Sequence, residues 1–244
     1  MIPVIIEYKP VPFLSWKSKI EAQMPARWND LSQRQLELAP YLKDDEADEK
    51  KVLQIFLDIP RRVAKRLDSY QAFCITRNLR FLHRAEPVSR FVIRKIAGYK
   101  GPGDKLHGVT FGAFIFGDTY FQEYIAGKKE YLDLFIACYY LGDGKFDEKD
   151  VGRRARAISR KGIKTREAIA LNYLMIREWL GRVYQNVFEK REITDGKRDA
   201  GWLAVHDRLV GDDLTKQDAW ATLPVSTVLR HLNRKIKEVQ KYGS

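Results

Sequence analysis

Arg153, Arg156, Arg160 and Lys164 recur at near-helical spacing, with Arg154 and Lys161 beside them. On one helix such groups make a cationic ridge that can follow a phosphate backbone or dock on an acidic protein, since each guanidinium offers paired N–H donors to an oxyanion. Val151, Ala155 and Ile158 supply the inward face of the same helix. The ridge carries no aromatic side chains of the kind that stack on bases, which favours backbone tracking or protein docking over single-strand readout. A second cluster, Arg61, Arg62, Lys65 and Arg66, follows Pro60, and Arg77, Arg80 and Arg84 share a further helix face. The spacing of the aromatics in that block, Tyr70, Phe73, Phe81, Phe91 and Tyr99, places most of them in the core.

Other chemistries find less support. The four histidines, His83, His107, His206 and His231, are never three or four residues from one another or from a Cys, so no helix face presents two such metal ligands. His206 and Asp207 are adjacent, which puts their side chains on different helix faces. Leu141–Asp150 has the outline of a calcium loop, with Gly144 at the sharp turn, but that alignment puts Tyr139 and Leu141 where the first carboxylates belong. A glycine turn followed by an acidic helix start at Asp147 is expected there instead. Gly98–Lys105 is glycine-rich and basic but lacks a Gly-Lys-Ser/Thr opening a helix, and Pro102 removes an amide that a phosphate cradle would use. It reads as a surface turn, with Lys100 and Lys105 available for a loose phosphate contact. Asp143/Asp147 and Asp212/Asp213 sit in polar runs, without the burial that acid–base work needs, and no Gly-x-Ser-x-Gly occurs. The sequence therefore specifies no catalytic residue, no metal and no cofactor.

The formal charge of +12 is concentrated in two blocks. Residues 61–110 carry twelve Lys/Arg against three Asp/Glu, and residues 151–200 carry thirteen against six. Charge gathered in blocks suggests surfaces that face an acidic partner, nucleic acid or protein. Apolar content of 45% is that of a globular chain. Cys74 and Cys138 lie in apolar runs and read as buried thiols of a reducing compartment. The first residues lack the charged start and long apolar core of a signal peptide, and the apolar run 131–141 is too short for a bilayer and is broken by Asp133. A soluble intracellular protein is expected.

These residues must be positioned by a mainly α fold with a small β element in its N-terminal half. Pro3–Tyr8 and Val11–Trp16 read as edge strands or an extended arm. Ser32 and Gln35 have the spacing of a capping box. The acidic run 44–49 reads as a loop entering a helix with Val52, Ile55 and Phe56, and Leu67-Asp68 leads into another with Tyr70, Phe73, Cys74 and Leu79 on or near one face. Breakers between 85 and 108 indicate a hairpin or long loop, with strand character at Phe91-Val-Ile. Helices are expected over 110–126, 129–141, 147–161, 166–190, 197–209, 214–221 and 224–241. In the last, Val225, Val228, Leu229, Leu232, Ile236 and Val239 form a stripe that Arg230, Arg234, Lys237 and Lys241 avoid. Because the helical pattern begins afresh near 105–110, the organisation expected is an N-terminal α+β region over 1–108 and a helical domain over 109–244.

Two end motifs carry a family resemblance. Trp28-Asn-Asp-Leu-Ser-Gln-Arg-Gln35 is similar to the opening "W-x-x-L-T-x-x-Q" of some phage and prophage tail-assembly proteins. Leu223–Arg234, preceded by Ala219-Trp220, looks like their C-terminal "lPlsevl-x-x-L" helix. Thr110–Gly117 and Leu171–Tyr184 resemble small proteins from prophage regions of Bacteroidetes. The resemblance implies a non-enzymatic, chaperone-like helical protein that binds another tail component, such as the long helical tape-measure protein, with an exposed Trp28 in the contact. The basic blocks support the alternative of sequence-independent nucleic-acid binding through 61–110 and 151–200.

Overall fold

A computed structural model describes residues 1–10, 16–42, 49–84, 86–142, 144–188, 202–211 and 216–242. The chain is mainly α-helical with two small antiparallel hairpins, and it divides into two compact units, Met1–Val88 and Ser89–Ser244.

In the first unit, β1 (Ile2–Tyr8) pairs antiparallel with β2 (Ser18–Met24). β1 is the strand expected from its β-branched run. β2 was not legible, because Ser-Lys-Ile-Glu-Ala-Gln-Met is mostly polar and buries only Ala22 and Met24. Of the second expected strand, residues 11–15 lie outside the described residues. Four helices follow: α1 (Gln33–Leu38), α2 (Glu49–Phe56), α3 (Arg61–Ala64) and α4 (Ser69–Thr76). Leu36, Leu53, Phe56, Val63, Ile75 and Leu79 form their core.

The Trp28 motif is an internal clasp. Trp28 is 4% exposed, and its indole N–H donates to the carbonyls of Arg84 (2.8 Å) and Phe81 (3.2 Å). Its ring meets Phe81 edge to face at 6.1 Å. Leu31 is fully buried, and Ser32 and Gln35 form the expected capping box. The Gln35 amide also donates to the carbonyls of Ile55 (3.3 Å) and Phe56 (3.1 Å) at the end of α2. This corrects the reading of Trp28 as an exposed partner contact. A large apolar ring with a single donor is most stable where both are satisfied, and residues 81–84 provide the acceptors.

α4 is also rotated from expectation. Asp68 caps it by accepting from the Gln71 amide at 2.7 Å, and Ala72, Ile75 and Leu79 turn inward. Tyr70, Phe73 and Cys74, expected inside, are exposed.

The second unit begins with an extended segment that belongs to the helices, not to the N-terminal region. Phe91, Val92 and Ile93 are buried, yet their backbone joins no sheet among the described residues. The Asn172 side chain accepts from the Val92 amide (2.8 Å) and donates to the Arg90 carbonyl (2.9 Å), while the Tyr140 hydroxyl donates to the Ile93 carbonyl (2.6 Å). Side chains thus replace a strand partner, and the compact unit that holds this segment begins at Ser89. β3 (Lys95–Ile96) and β4 (Tyr99–Lys100) close a hairpin at Ala97-Gly98, both with positive φ. Gly98–Lys105 is more than a surface turn. Pro102 is buried, and a Cβ on Gly101 would stand 2.6 Å from the Tyr140 ring.

α5 (Phe111–Ile125), α6 (Tyr131–Tyr139), α7 (Val151–Ser159) and α8 (Ile163–Val183) form the body. Thr110 caps α5 through the Ala113 amide. The turn before α7 is built as expected, with Asp147 accepting from the Lys149 amide, while Asp143 lies outside the described residues. α9 (Gln185–Phe188), α10 (Trp202–Val210), α11 (Gln217–Thr222) and α12 (Val225–Tyr242) complete the unit. The start of the helix expected over 197–209 and the Asp212/Asp213 pair lie outside the described residues. The Phe111 amide donates to Leu223 O and the Val225 amide to Val109 O, which joins the starts of α5 and α12. Of the α12 stripe, Val225, Val228 and Leu229 are buried and Val239 is 71% exposed.

Replacing Trp28 by Phe keeps most of the ring and removes the donor from two carbonyls. This is expected to cost about 1–3 kcal/mol, measured as a lower urea midpoint for the first unit.

Candidate functional site

The α7 ridge forms, with one member removed. Arg153, Arg156 and Arg160 stand at i, i+3 and i+7 and are exposed, followed by exposed Lys161 and by Lys164 in the first turn of α8. Arg153 pairs with Asp150 at 3.1 Å. Arg156, Arg160 and Lys161 make no ion pair among the described residues. Arg154 does not belong to the ridge. It is 3% exposed, donates to the Ala137 (3.0 Å) and Asp147 (3.2 Å) carbonyls, and stands 3.7 Å from Asp150. It lies among the inward residues of α7, where its guanidinium caps the end of α6 and the turn before α7.

The first basic cluster occupies α3 and the residues after it. Arg61, Arg62, Lys65 and Arg66 are all exposed, and Arg66 donates to the Lys9 carbonyl at 3.2 Å. Arg61 and Lys65, together with Lys50, Lys51, Gln54 and Ala64, line a cleft of about 410 Å³. On α4, Tyr70 is 77% and Phe73 57% exposed, with exposed Arg77 one turn beyond Phe73. Sequence reasoning missed this face because Tyr and Phe at helical spacing ordinarily mark a core stripe. The signal that could have found it is the competing stripe Ala72, Ile75 and Leu79.

A third constellation lies inside the second unit. Asp118 on α5 is fully buried. Its Oδ1 accepts from the Tyr173 hydroxyl (2.9 Å) and Arg177 Nε (2.9 Å), both on α8, and its Oδ2 accepts from the Trp202 indole (2.8 Å) on α10. Tyr139 of α6 donates to the Tyr173 hydroxyl at 2.7 Å. The Gln122 amide, oriented with its oxygen toward the guanidinium, accepts from Arg177 Nη2 at 2.8 Å. Burial pushes the Tyr139 and Tyr173 phenols well above the usual range, and the nearby Asp118 charge adds to the shift. Both carboxylate oxygens accept from protein donors, so the group ties α5 to α8 and α10. The one signal in the sequence was an Asp inside the apolar run 111–121.

The histidines are dispersed. His83 and His107 are exposed, His231 is half-buried, and buried His206 stacks near Phe111 with Nε2 3.4 Å from the Gln217 carbonyl. No group of three or more His, Cys, Asp or Glu among the described residues is placed to hold a metal ion. Cys138 is buried, and burial raises its thiol far above the ordinary value. No helix among the described residues is long and apolar enough to cross a membrane.

No family model, curated protein or solved structure matches the chain.

Two outcomes are expected for the buried network. Asp118→Asn puts an amide among three donors and leaves Arg177 without its carboxylate. A loss of about 3–5 kcal/mol should appear as a lower denaturation midpoint and altered Trp202 fluorescence. Tyr139 and Tyr173 keep their protons in the folded state where the unfolded chain loses them. Stability should therefore fall as pH rises above about 10, with phenolate absorbance from these two tyrosines emerging only with unfolding.

Proposed function

We propose that this chain is a non-enzymatic assembly protein of the phage-tail type, which docks on another tail component through the exposed face of α4. The observation that carries the reading is the pair Tyr70 and Phe73, turned outward beside Arg77. Large rigid aromatics next to arginine are the composition of interface hot spots, where buried ring area contributes most of the affinity. With Trp28 occupied within the fold, the exposure of these two rings supports α4 as the docking face. The buried polar side chains Gln35, Asp118, Arg154 and Asn172 are each engaged by protein partners, which is consistent with a binding role.

A second reading, backbone-directed nucleic-acid binding, is supported by the exposed Arg153, Arg156 and Arg160 on one face of α7. The two readings differ in their salt response. Apolar docking tolerates salt, whereas a protein that neutralises six to ten phosphates loses roughly 10³–10⁵ in affinity between 50 and 200 mM.

Co-expression with the tape-measure protein is expected to yield a complex that survives high salt. Tyr70→Ala/Phe73→Ala should weaken it about thirtyfold or more, while Arg153→Glu/Arg156→Glu/Arg160→Glu leaves it intact. Failure of the tail component to co-purify, or full binding by the aromatic double variant, overturns the proposal. Submicromolar, salt-sensitive binding to duplex DNA that the triple charge reversal abolishes would put the second reading first.

A further inference from the structure

The helical run does not end with α4. A 3-10 helix, Arg77–His83, continues it, and the tighter winding sets up a line along its outer side. Side chains three residues apart eclipse in a 3-10 helix, about 6 Å from one to the next. Arg77, Arg80 and His83 are accordingly exposed together, while Leu79 and Leu82 are buried together. On α4 itself Tyr70, Phe73 and Arg77 stand at i, i+3 and i+7, a spacing that keeps them on one face. Two aromatic rings, 77% and 57% exposed, therefore lead into a row of two guanidiniums and an imidazole.

The charges of this row are not used by the fold. Arg77 and Arg80 make no ion pair among the described residues. Residues 61–84 carry seven Lys/Arg against one Asp, and that carboxylate, Asp68, accepts from the Gln71 amide at 2.7 Å. A partner that complements the row offers flat π faces to the rings and negative charge to the guanidiniums. A single-stranded nucleic acid offers both, since its unpaired bases stack on aromatic side chains and its phosphates meet arginine. A duplex keeps its bases stacked on one another, closed to the rings. An acidic peptide carries the charge, but on carboxylates that have no π face.

We propose that the row from Tyr70 to His83 binds single-stranded nucleic acid, with bases stacked on Tyr70 and Phe73 and phosphates held by Arg77 and Arg80. The proposal concerns the face assigned above to docking and shares with that reading only the outward turn of the two rings. It needs no tail component, so the two fail separately.

The test is fluorescence anisotropy of the full chain with a labelled thymidine oligomer of about eight nucleotides, an abasic oligomer of the same length and a short duplex, at about 50 and 200 mM salt. The thymidine oligomer should bind most tightly of the three. Tyr70→Leu/Phe73→Leu keeps apolar area and removes the π faces; it should weaken thymidine binding about tenfold or more and leave abasic binding unchanged. Arg77→Gln/Arg80→Gln should lower the slope of log affinity against log salt by about 1.4, as expected for two lost contacts to a single strand. All four substituted side chains are exposed, and circular dichroism checks that the variants keep the parent's helix content. The proposal is overturned if the thymidine oligomer does not bind, if the abasic oligomer or the duplex binds as tightly, or if the leucine variant binds as the parent does.

Discussion

A carboxylate without solvent exposure loses its hydration, and only directed donors compensate for that loss. Asp118 meets the requirement with donors from two other helices: Tyr173 and Arg177 from α8 and Trp202 from α10, with Tyr139 of α6 bound behind Tyr173. Those bonds fix how the helices face one another. The aromatic rings of Phe121, Phe135, Tyr139 and Tyr173 pack around the same point, with centroids 4.8 to 5.6 Å apart in the contacting pairs. Gly117 precedes the carboxylate because a Cβ there would stand 2.4 Å from the Tyr139 ring. Charge, hydrogen bonding and steric fit converge on one turn of α5.

Other buried polar side chains act in the same way over shorter distances. Asn172 and Tyr140 hold the extended segment 90–93, Arg154 holds the end of α6, and Trp28 and Gln35 hold the first unit. Each supplies a partner to a backbone group that helix or sheet pairing leaves unmatched. On the surface three features remain exposed: the aromatic face of α4, the ridge on α7 and the basic cleft lined from α2 and α3. The charge blocks supply the α7 ridge and, in the cleft, Arg61 and Lys65, whereas Lys50 and Lys51 lie outside them; the α4 face combines aromatic rings with arginine.

The Trp28–Gln35 segment has an internal structural role. Trp28, Leu31, Ser32 and Gln35 are spaced to cap a helix, bury two apolar side chains and lend an amide to the end of α2. A motif of that kind reports how a chain folds at its start. Any partner contact must then be sought elsewhere on the molecule.

Much of the architecture was legible in the sequence. Apolar periodicity placed the helices from Phe111 onward, Ser32 and Thr110 marked helix starts through their side-chain oxygens, and the β-branched run gave β1. The two basic blocks and most of the ridge could be read as well, because charge and helical spacing are local properties. The facing of individual side chains was not. Whether Tyr70 and Phe73 or Ala72 and Ile75 turn inward depends on what packs against α4, and Arg154 leaves the ridge because carbonyls of α6 and its following turn stand within reach. β2 depends on β1 to form, and Asp118 is acceptable only once Tyr173, Arg177 and Trp202 surround it. Local propensity determined the elements; tertiary structure decided which side chains remain outside, because burial and hydrogen-bond satisfaction depend on neighbours distant in the chain.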